Sequence, residues 1–401
     1  MAWWPSGKAT ACKPVIVGSN PTQASINGKE PTKEKGEKMI EPYLYGEAVF
    51  KGHPDKIADQ VADRIVDWVL DQDPEASIAV DAVIKNQEIN LVGEISCVYL
   101  LDYIQNVLAD VVHSTRIIQE LGTEFSVRSV FTRQAPNLRK QNELARTGDQ
   151  GVIVGYATLE TYQRLPVAHS MALNLARYIN ARLPEFALPD GKCLVVFNNM
   201  GIIRTVEHVS ISLATRTKSD GERLKSFIGD EVLPAVFNRA SGFSKPFKVT
   251  VNPPDGVFVG GGTKVDSGLT GRKQIMDAYG CHIPTGGGAL SGKDPLKLDR
   301  SGAYIARRLA LQKLAKVREF GVYEVYTSLA YIMGQDSLSC NYFYTTHGTG
   351  GTRQVNEQSI VGLQRMLHLL ELRKPIGWCY EDTAVAGHFG DYNFSWEAVT
   401  V

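Results

Sequence analysis

At 401 residues, 43% hydrophobic and 21% charged, the chain is long enough for two or three domains with substantial cores. Its 43 lysines and arginines balance 43 aspartates and glutamates, so no global field favours nucleic acid or an anionic membrane. Any polyanion must be held by local clusters. No apolar run approaches the roughly 20 residues that span a bilayer, and six scattered cysteines without C-x-x-C or zinc spacing fit reduced thiols in a cytoplasmic protein.

Residues Met1–Lys38 read unlike the rest, ending in the charged run GKEPTKEKGEK. They are expected to be a disordered leader, or untranslated upstream sequence with Met39 as the start. The apolar run Pro14–Val17 is too short for a signal-peptide core.

From Pro54 to Gln72 the pattern is helical, with Ile57, Val61, Ile65 and Val69 at i+4 and Asp73-Pro74 ending the run. His53 falls at the helix entrance and Asp55 in the first turn. Two strands follow, Ser77–Ile84 and Glu88–Ile95. Ile78, Val80, Ala82 and Ile84 share one face, leaving Asp81 on the other; Glu94 likewise opposes Ile89, Leu91 and Ile95. Leu100–Ile118 is expected as a single helix. The polar stretch Thr132–Gly148 reads as a mobile loop, either linker or lid.

A strand at Val152–Ala157, a helix at Pro166–Leu183, strands around Leu194–Phe197 and Thr205–Leu213, and a helix at Gly221–Phe237 come next. Arg300–Val317 reads as helix and Val322–Met333 as extended chain. Strands and helices alternate without a strict one-to-one rhythm, which favours an α+β fold over a doubly wound sheet. No internal repeat is visible.

The chemical centre is Phe258–Asp299, where glycines surround Arg272-Lys273 and Lys293–Lys297, with Asp266, Asp294 and Asp299 between them. Glycine admits close backbone approach, the cations would attract a polyphosphate, and the carboxylates suit a hard divalent metal. A solvated loop is the plain alternative. Gly287–Asp294 also matches the phosphate loop G-x-x-x-x-G-K. Asp294, however, stands where Ser or Thr should hold magnesium, and Cys281–Thr285 makes a poor preceding strand.

GHPDKIADQ (Gly52–Gln60), GDQG (Gly148–Gly151), GLTGRK (Gly268–Lys273), GGGALSGKDPLKLDRSGAY (Gly286–Tyr304) and GHFG (Gly387–Gly390) occur in this order. Together they resemble the S-adenosylmethionine synthetase (methionine adenosyltransferase) family over roughly Glu47–Glu397. The resemblance implies three related α+β domains, each a sheet backed by helices, expected at residues 40–138, 139–257 and 258–401. It also implies synthesis of S-adenosyl-L-methionine. Methionine sulfur would attack C5′ of ATP, and the displaced tripolyphosphate would be hydrolysed to pyrophosphate and phosphate. A homodimer or homotetramer with sites at the subunit interface is implied as well.

By the same resemblance, His53, Lys293 and Arg272 are catalytic, His53 donating toward the leaving oxygen. Glu47, Asp149, Lys192, Phe258 and Lys273 join them around ATP, Phe258 as a stacking ring. Glu94, Gln134, Asp266 and Lys297 would hold methionine. Asp55 and Asp299 would bind two magnesium ions, and Asp81 one potassium ion. Read alone, His53 would be a helix cap, Asp55 an acid favoured by the helix dipole, and each lysine a solvated cation.

Several positions depart from the family pattern. GEAVFKGHPDK keeps Glu47 but loses the serines and second acid of the usual lead-in, Asp81 replaces a glutamate, and Val257 replaces an arginine. The polar S-T-Q-H segment is replaced near Ser212–Thr215, and the loop after Gln134 is shorter. Two other readings stay open: a phosphate-loop ATPase or kinase, and a silent family member that binds nucleotide and regulates a partner.

Overall fold

The computed structural model describes residues 42–97, 99, 101–134, 148–200, 204–237, 247–252, 258–348 and 351–399. The expected leader, most of the expected mobile loop, and Val257 lie outside them. Twelve strands among the described residues form three four-stranded sheets.

The first region opens with β1 (Tyr43–Val49) and helix α1 (Pro54–Gln72), followed by the hairpin β2 (Ser77–Lys85) and β3 (Glu88–Ser96). The alternation holds: Ile78, Val80, Ala82 and Ile84 are buried, and Asp81 is exposed. The expected single helix is instead two, α2 (Leu101–His113) and a short turn of helix at Arg116–Leu121. Thr115 between them is extended, at φ −60° and ψ 130°, so the i→i−4 ladder cannot run through it. β4 (Ser126–Thr132) completes the segment.

Next come β5 (Gly151–Thr158), helix α3 (Val167–Ala181), β6 (Ala187–Asn198) and β7 (Thr205–Thr215). The helix expected at Gly221–Phe237 is interrupted by a π-turn at Phe227–Val232. Pro234 has no N–H and crowds the carbonyl one turn back, which accounts for the widening. β8 (Lys248–Val251), the short β9 (Gly268–Leu269), helix α4 (Leu298–Val317), β10 (Glu324–Tyr331), β11 (Ser337–Gly348) and β12 (Gly351–Gly362) follow.

The repeat invisible in the sequence is plain in the sheets. Their orders are β9-β2-β3-β4, β1-β6-β7-β8 and β5-β10-β11-β12. Each takes a hairpin, adds an antiparallel strand from a distant part of the chain on one side, and one further strand on the other. In two sheets that last strand is parallel, reached through a helical crossover. In the third it is antiparallel, because only two residues separate β11 from β12 and a parallel return needs a dozen or more.

The inner faces carry the apolar core with α1, α3 and α4, and Ile57, Val61, Ile65 and Val69 are all buried. The opposite faces remain open, with Val130, Val152 and Ile360 at 67%, 61% and 78% exposure. One close approach positions the site. A Cβ on Gly268 would lie 2.0 Å from the carbonyl oxygen of Pro54, so only glycine lets the GLTGRK turn rest on the first turn of α1.

Candidate active site

Helix α1 is buried nearly all round, including its aspartates. Asp55, Asp59, Asp63 and Asp67 recur every fourth residue, so they form one stripe, and none is more than 8% exposed. Each accepts backbone N–H groups from a segment distant in sequence, Asp55 and Asp59 from the same GLTGRK turn. Leu269 donates to Asp55 at 3.0 Å, Gly271 to Asp59 at 2.8 Å, and Gly292 to Asp63 at 2.8 Å. Tyr380 and Glu381 donate to the two oxygens of Asp67 at 2.7 and 2.9 Å. The loops carrying the sequence's cations are therefore tied to one helix.

Around the head of α1 stand His53, Asp55, Arg272 and Lys273. Lys273 Nζ bonds Asp55 Oδ2, and Arg272 lies 3.6 Å from Asp55 Oδ1. His53 caps α1, its Nδ1 accepting the Asp55 N–H at 3.2 Å. The cap reading holds: with Nδ1 accepting, the neutral ring carries its proton on Nε2. Burial, then the Lys273 ammonium, lowers the imidazole pKa to about 4 against the pull of Asp55. Asp266 and Lys192 also act on His53. Lys192 lies 3.6 Å from Glu47 across the β1–β6 pair.

A second group centres on the start of α4 and the outer face of the β2–β3 hairpin. Lys293 pairs with Asp299 at 2.5 Å, and Lys297 with Glu94 at 3.1 Å. Gln134 reaches Glu94 at 3.5 Å. Asp81, though exposed at its surface, is partly desolvated by the packing around it, which raises its carboxyl pKa, and the charge of Lys293 partly offsets that rise. Asp149 and Asp299 line two spaces. One of ≈ 190 Å³ includes Gln274, Gly286–Gly288 and Tyr331; one of ≈ 280 Å³ includes Gln134 and Lys297. Gln274, next to Lys273, donates to Gly287 O at 3.0 Å and links the two groups.

The structure thus brings Glu94, Gln134 and Lys297 together as the resemblance implied, while Asp266 stands within electrostatic reach of His53. Phe258 is half-buried, its carbonyl accepting from Thr215 N at 2.8 Å. The segment matching a phosphate loop is not one. No strand precedes it, and Asp294 is fully buried, accepting from Ile78 N at 2.8 Å and Leu296 N at 2.7 Å. Its carboxylate is a structural tie to β2.

Sequence reasoning missed Lys56, Asp59, Asp63, Asp67, Asp277 and Arg300. Arg300 Nη2 bonds Asp63 at 2.5 Å with both side chains fully buried. The missed signal was the four-residue spacing of aspartates on a helix whose other faces are already apolar.

Metal fit follows from the donor set. Among the described residues no three His, Cys, Asp or Glu side chains form a protein-only cage. Asp55 and Asp299 are single hard-oxygen donors beside phosphate-seeking lysines. That suits magnesium, which takes one or two carboxylates and completes its shell with phosphate and water. At Gly288 a Cβ would lie 2.2 Å from the Asp299 carboxyl carbon, so glycine keeps the approach to that carboxylate open.

Comparison with known proteins agrees along the chain. Sequence models of the S-adenosylmethionine synthetase N-terminal, central and C-terminal domains match residues 42–136, 145–258 and 260–398. The S-adenosylmethionine synthase of Tropheryma whipplei (strain TW08/27) is 32% identical, covering 89% of this chain and 96% of the relative. That of Prochlorococcus marinus (strain MIT 9515) is 33% identical, covering 88% and 95%. A solved structure described as an unusual S-adenosylmethionine synthetase from Campylobacter jejuni superposes with TM-score 0.72 at 25% identity, covering 88% of this chain and 96% of the other.

The His53 geometry has a direct check. Its folded pKa of about 4 lies below the unfolded value of 6.5, so its contribution to stability is present above 6.5 and is lost as pH falls through about 4. In a carbon-13 histidine NMR titration, the His53 resonance should stay neutral until about pH 4. Lys273→Met should move the midpoint upward. A wild-type midpoint near 6.5 would show that the ring is neither buried nor held neutral by its neighbours.

Proposed function

Because the chain belongs to the S-adenosylmethionine synthetase family, and is by that membership a transferase that makes S-adenosylmethionine, we propose that it does so by sulfur attack on C5′ of ATP. The released tripolyphosphate is then hydrolysed to pyrophosphate and phosphate. The observation that carries this reading is His53: a neutral imidazole with Nδ1 occupied by a backbone N–H, set between Asp55 and Lys273.

The reaction turns a neutral thioether into a sulfonium while a polyphosphate leaves. Negative charge develops on O5′ and spreads along the leaving chain. Fixed donors aimed there supply the largest catalytic contribution. In this reading His53 donates its Nε2 proton in a hydrogen bond to O5′. A neutral donor serves because the proton need only be shared as charge develops. Arg272, Lys273, Lys192 and Lys293 hold the triphosphate. Asp55 and Asp299 hold magnesium, which supplies Lewis-acid neutralisation of the phosphate oxygens when bound. Glu94, Gln134 and Lys297 hold methionine, with Lys297 toward its carboxylate and Asp266 toward its ammonium group. Glu47, Asp149 and Phe258 serve the nucleoside.

Asp81 is proposed as the potassium ligand. The Lys293 charge beside it competes for the carboxylate, so stimulation should be weak, and a rate indifferent to potassium would remove the site. The open faces of the three sheets support a homodimer or homotetramer whose subunits complete each other's sites. A monomeric mass by light scattering would contradict that. Within the described residues, no helix is long and apolar enough to cross a membrane.

The test separates the two steps. His53→Ala should lower the rate of S-adenosylmethionine formation by about 10²–10³, the scale for one lost electrostatic donor. Hydrolysis of added tripolyphosphate should fall far less, because O5′ takes no part in it. Equal losses in both steps would remove His53 from the attack on C5′.

A further inference from the structure

Lys56, in the GHPDK motif, reaches no space in which a substrate could sit. It is 1% exposed and lies between Asp277 Oδ1 at 2.7 Å and Asp59 Oδ2 at 3.1 Å. The second oxygen of Asp59 accepts from Gly271 N at 2.8 Å. Asp277 donates its own N–H to Lys273 O at 2.9 Å, and its carbonyl accepts from His388 N at 2.9 Å. The dipeptide Arg272-Lys273 is therefore anchored on both flanks, at Gly271 by Asp59 and at Lys273 by Asp277. Both anchors hang on Lys56.

We infer that Lys56, Asp59 and Asp277 are positioning residues that set where Arg272 and Lys273 meet the triphosphate. Each carboxylate divides its work. One oxygen of Asp59 takes the ammonium and the other takes the turn; Asp277 takes the ammonium with its side chain and the turn with its backbone. The ammonium bonds both carboxylates and so fixes the angle of each. GHPDK, GLTGRK and GHFG meet at this point, which gives these three motifs one mechanical role. Positioning of this kind is felt in catalysis, since a misplacement of about 1 Å can cost about 10²-fold.

The inference rests on Arg272 and Lys273 binding phosphate, so the experiment tests both. Binding of imidotriphosphate, a hydrolysis-resistant analogue, is measured calorimetrically with magnesium present for the full chain and for Lys273→Met, Asp59→Ala and Asp59→Asn. KM values for ATP and methionine are measured in parallel. Asp59→Ala should weaken binding about 10-fold and raise KM for ATP by a similar factor, with KM for methionine within about twofold. Asp59→Asn keeps an oxygen for the Gly271 N–H and should stay within about threefold. If the alanine variant does not fold, Asp59→Ser, too short to reach Gly271, replaces it with the same expectation.

Weaker binding in Lys273→Met but unchanged binding in Asp59→Ala would overturn the positioning role and leave the phosphate reading standing. A lower active fraction with both KM values unchanged would do the same. Unchanged binding in Lys273→Met would overturn both.

Discussion

The fold around the site depends on burying four aspartates along one face of α1. A buried carboxylate without partners is expensive, and removing one member of a buried pair costs about 3–5 kcal/mol. Here each carboxylate is offset by backbone N–H groups or a cation, and the backbone N–H donors all come from segments more than 200 residues away in sequence. The helix and those loops therefore cannot be correct separately. That mutual requirement converts a glycine-rich segment, flexible by composition, into a set of cations at defined heights along one helix.

The same arrangement balances charge. Lysines 273 and 293 each face a carboxylate, at Asp55 and Asp299, so the site holds its cations without concentrated self-repulsion. His53 stays neutral beside this field because burial and Lys273 together oppose its protonation. The cost of assembling the cluster is met during folding, before a substrate arrives. That is the condition under which fixed dipoles and charges act on a transition state without reorganising.

Much of this was legible in the sequence. The boundaries of α1 followed from Pro54, the i+4 apolar run and Asp73-Pro74, and the hairpin followed from the alternation around Asp81 and Glu94. The clustering of Lys297 with Glu94 followed only from family motifs, since no local pattern joins residues 203 apart in sequence. What stayed hidden is non-local. The threefold repetition of the sheets uses borrowed strands, β1, β5 and β9, that lie far from the hairpins they extend. The aspartate stripe reads locally as a solvated acidic face, and only tertiary packing reveals that it is the buried one. Breaks at Thr115 and Phe227–Val232 were hidden for the opposite reason: apolar periodicity continues across them while the backbone does not.

The central claim is that bond breaking occurs at C5′ of ATP and not between phosphates, and the products decide it. Mass spectrometry of purified full-length protein with ATP, methionine and magnesium should find S-adenosylmethionine, pyrophosphate and phosphate in equal amounts, with no ADP and no reaction when methionine is left out. ADP as the main nucleotide product, formed without methionine, would contradict the account.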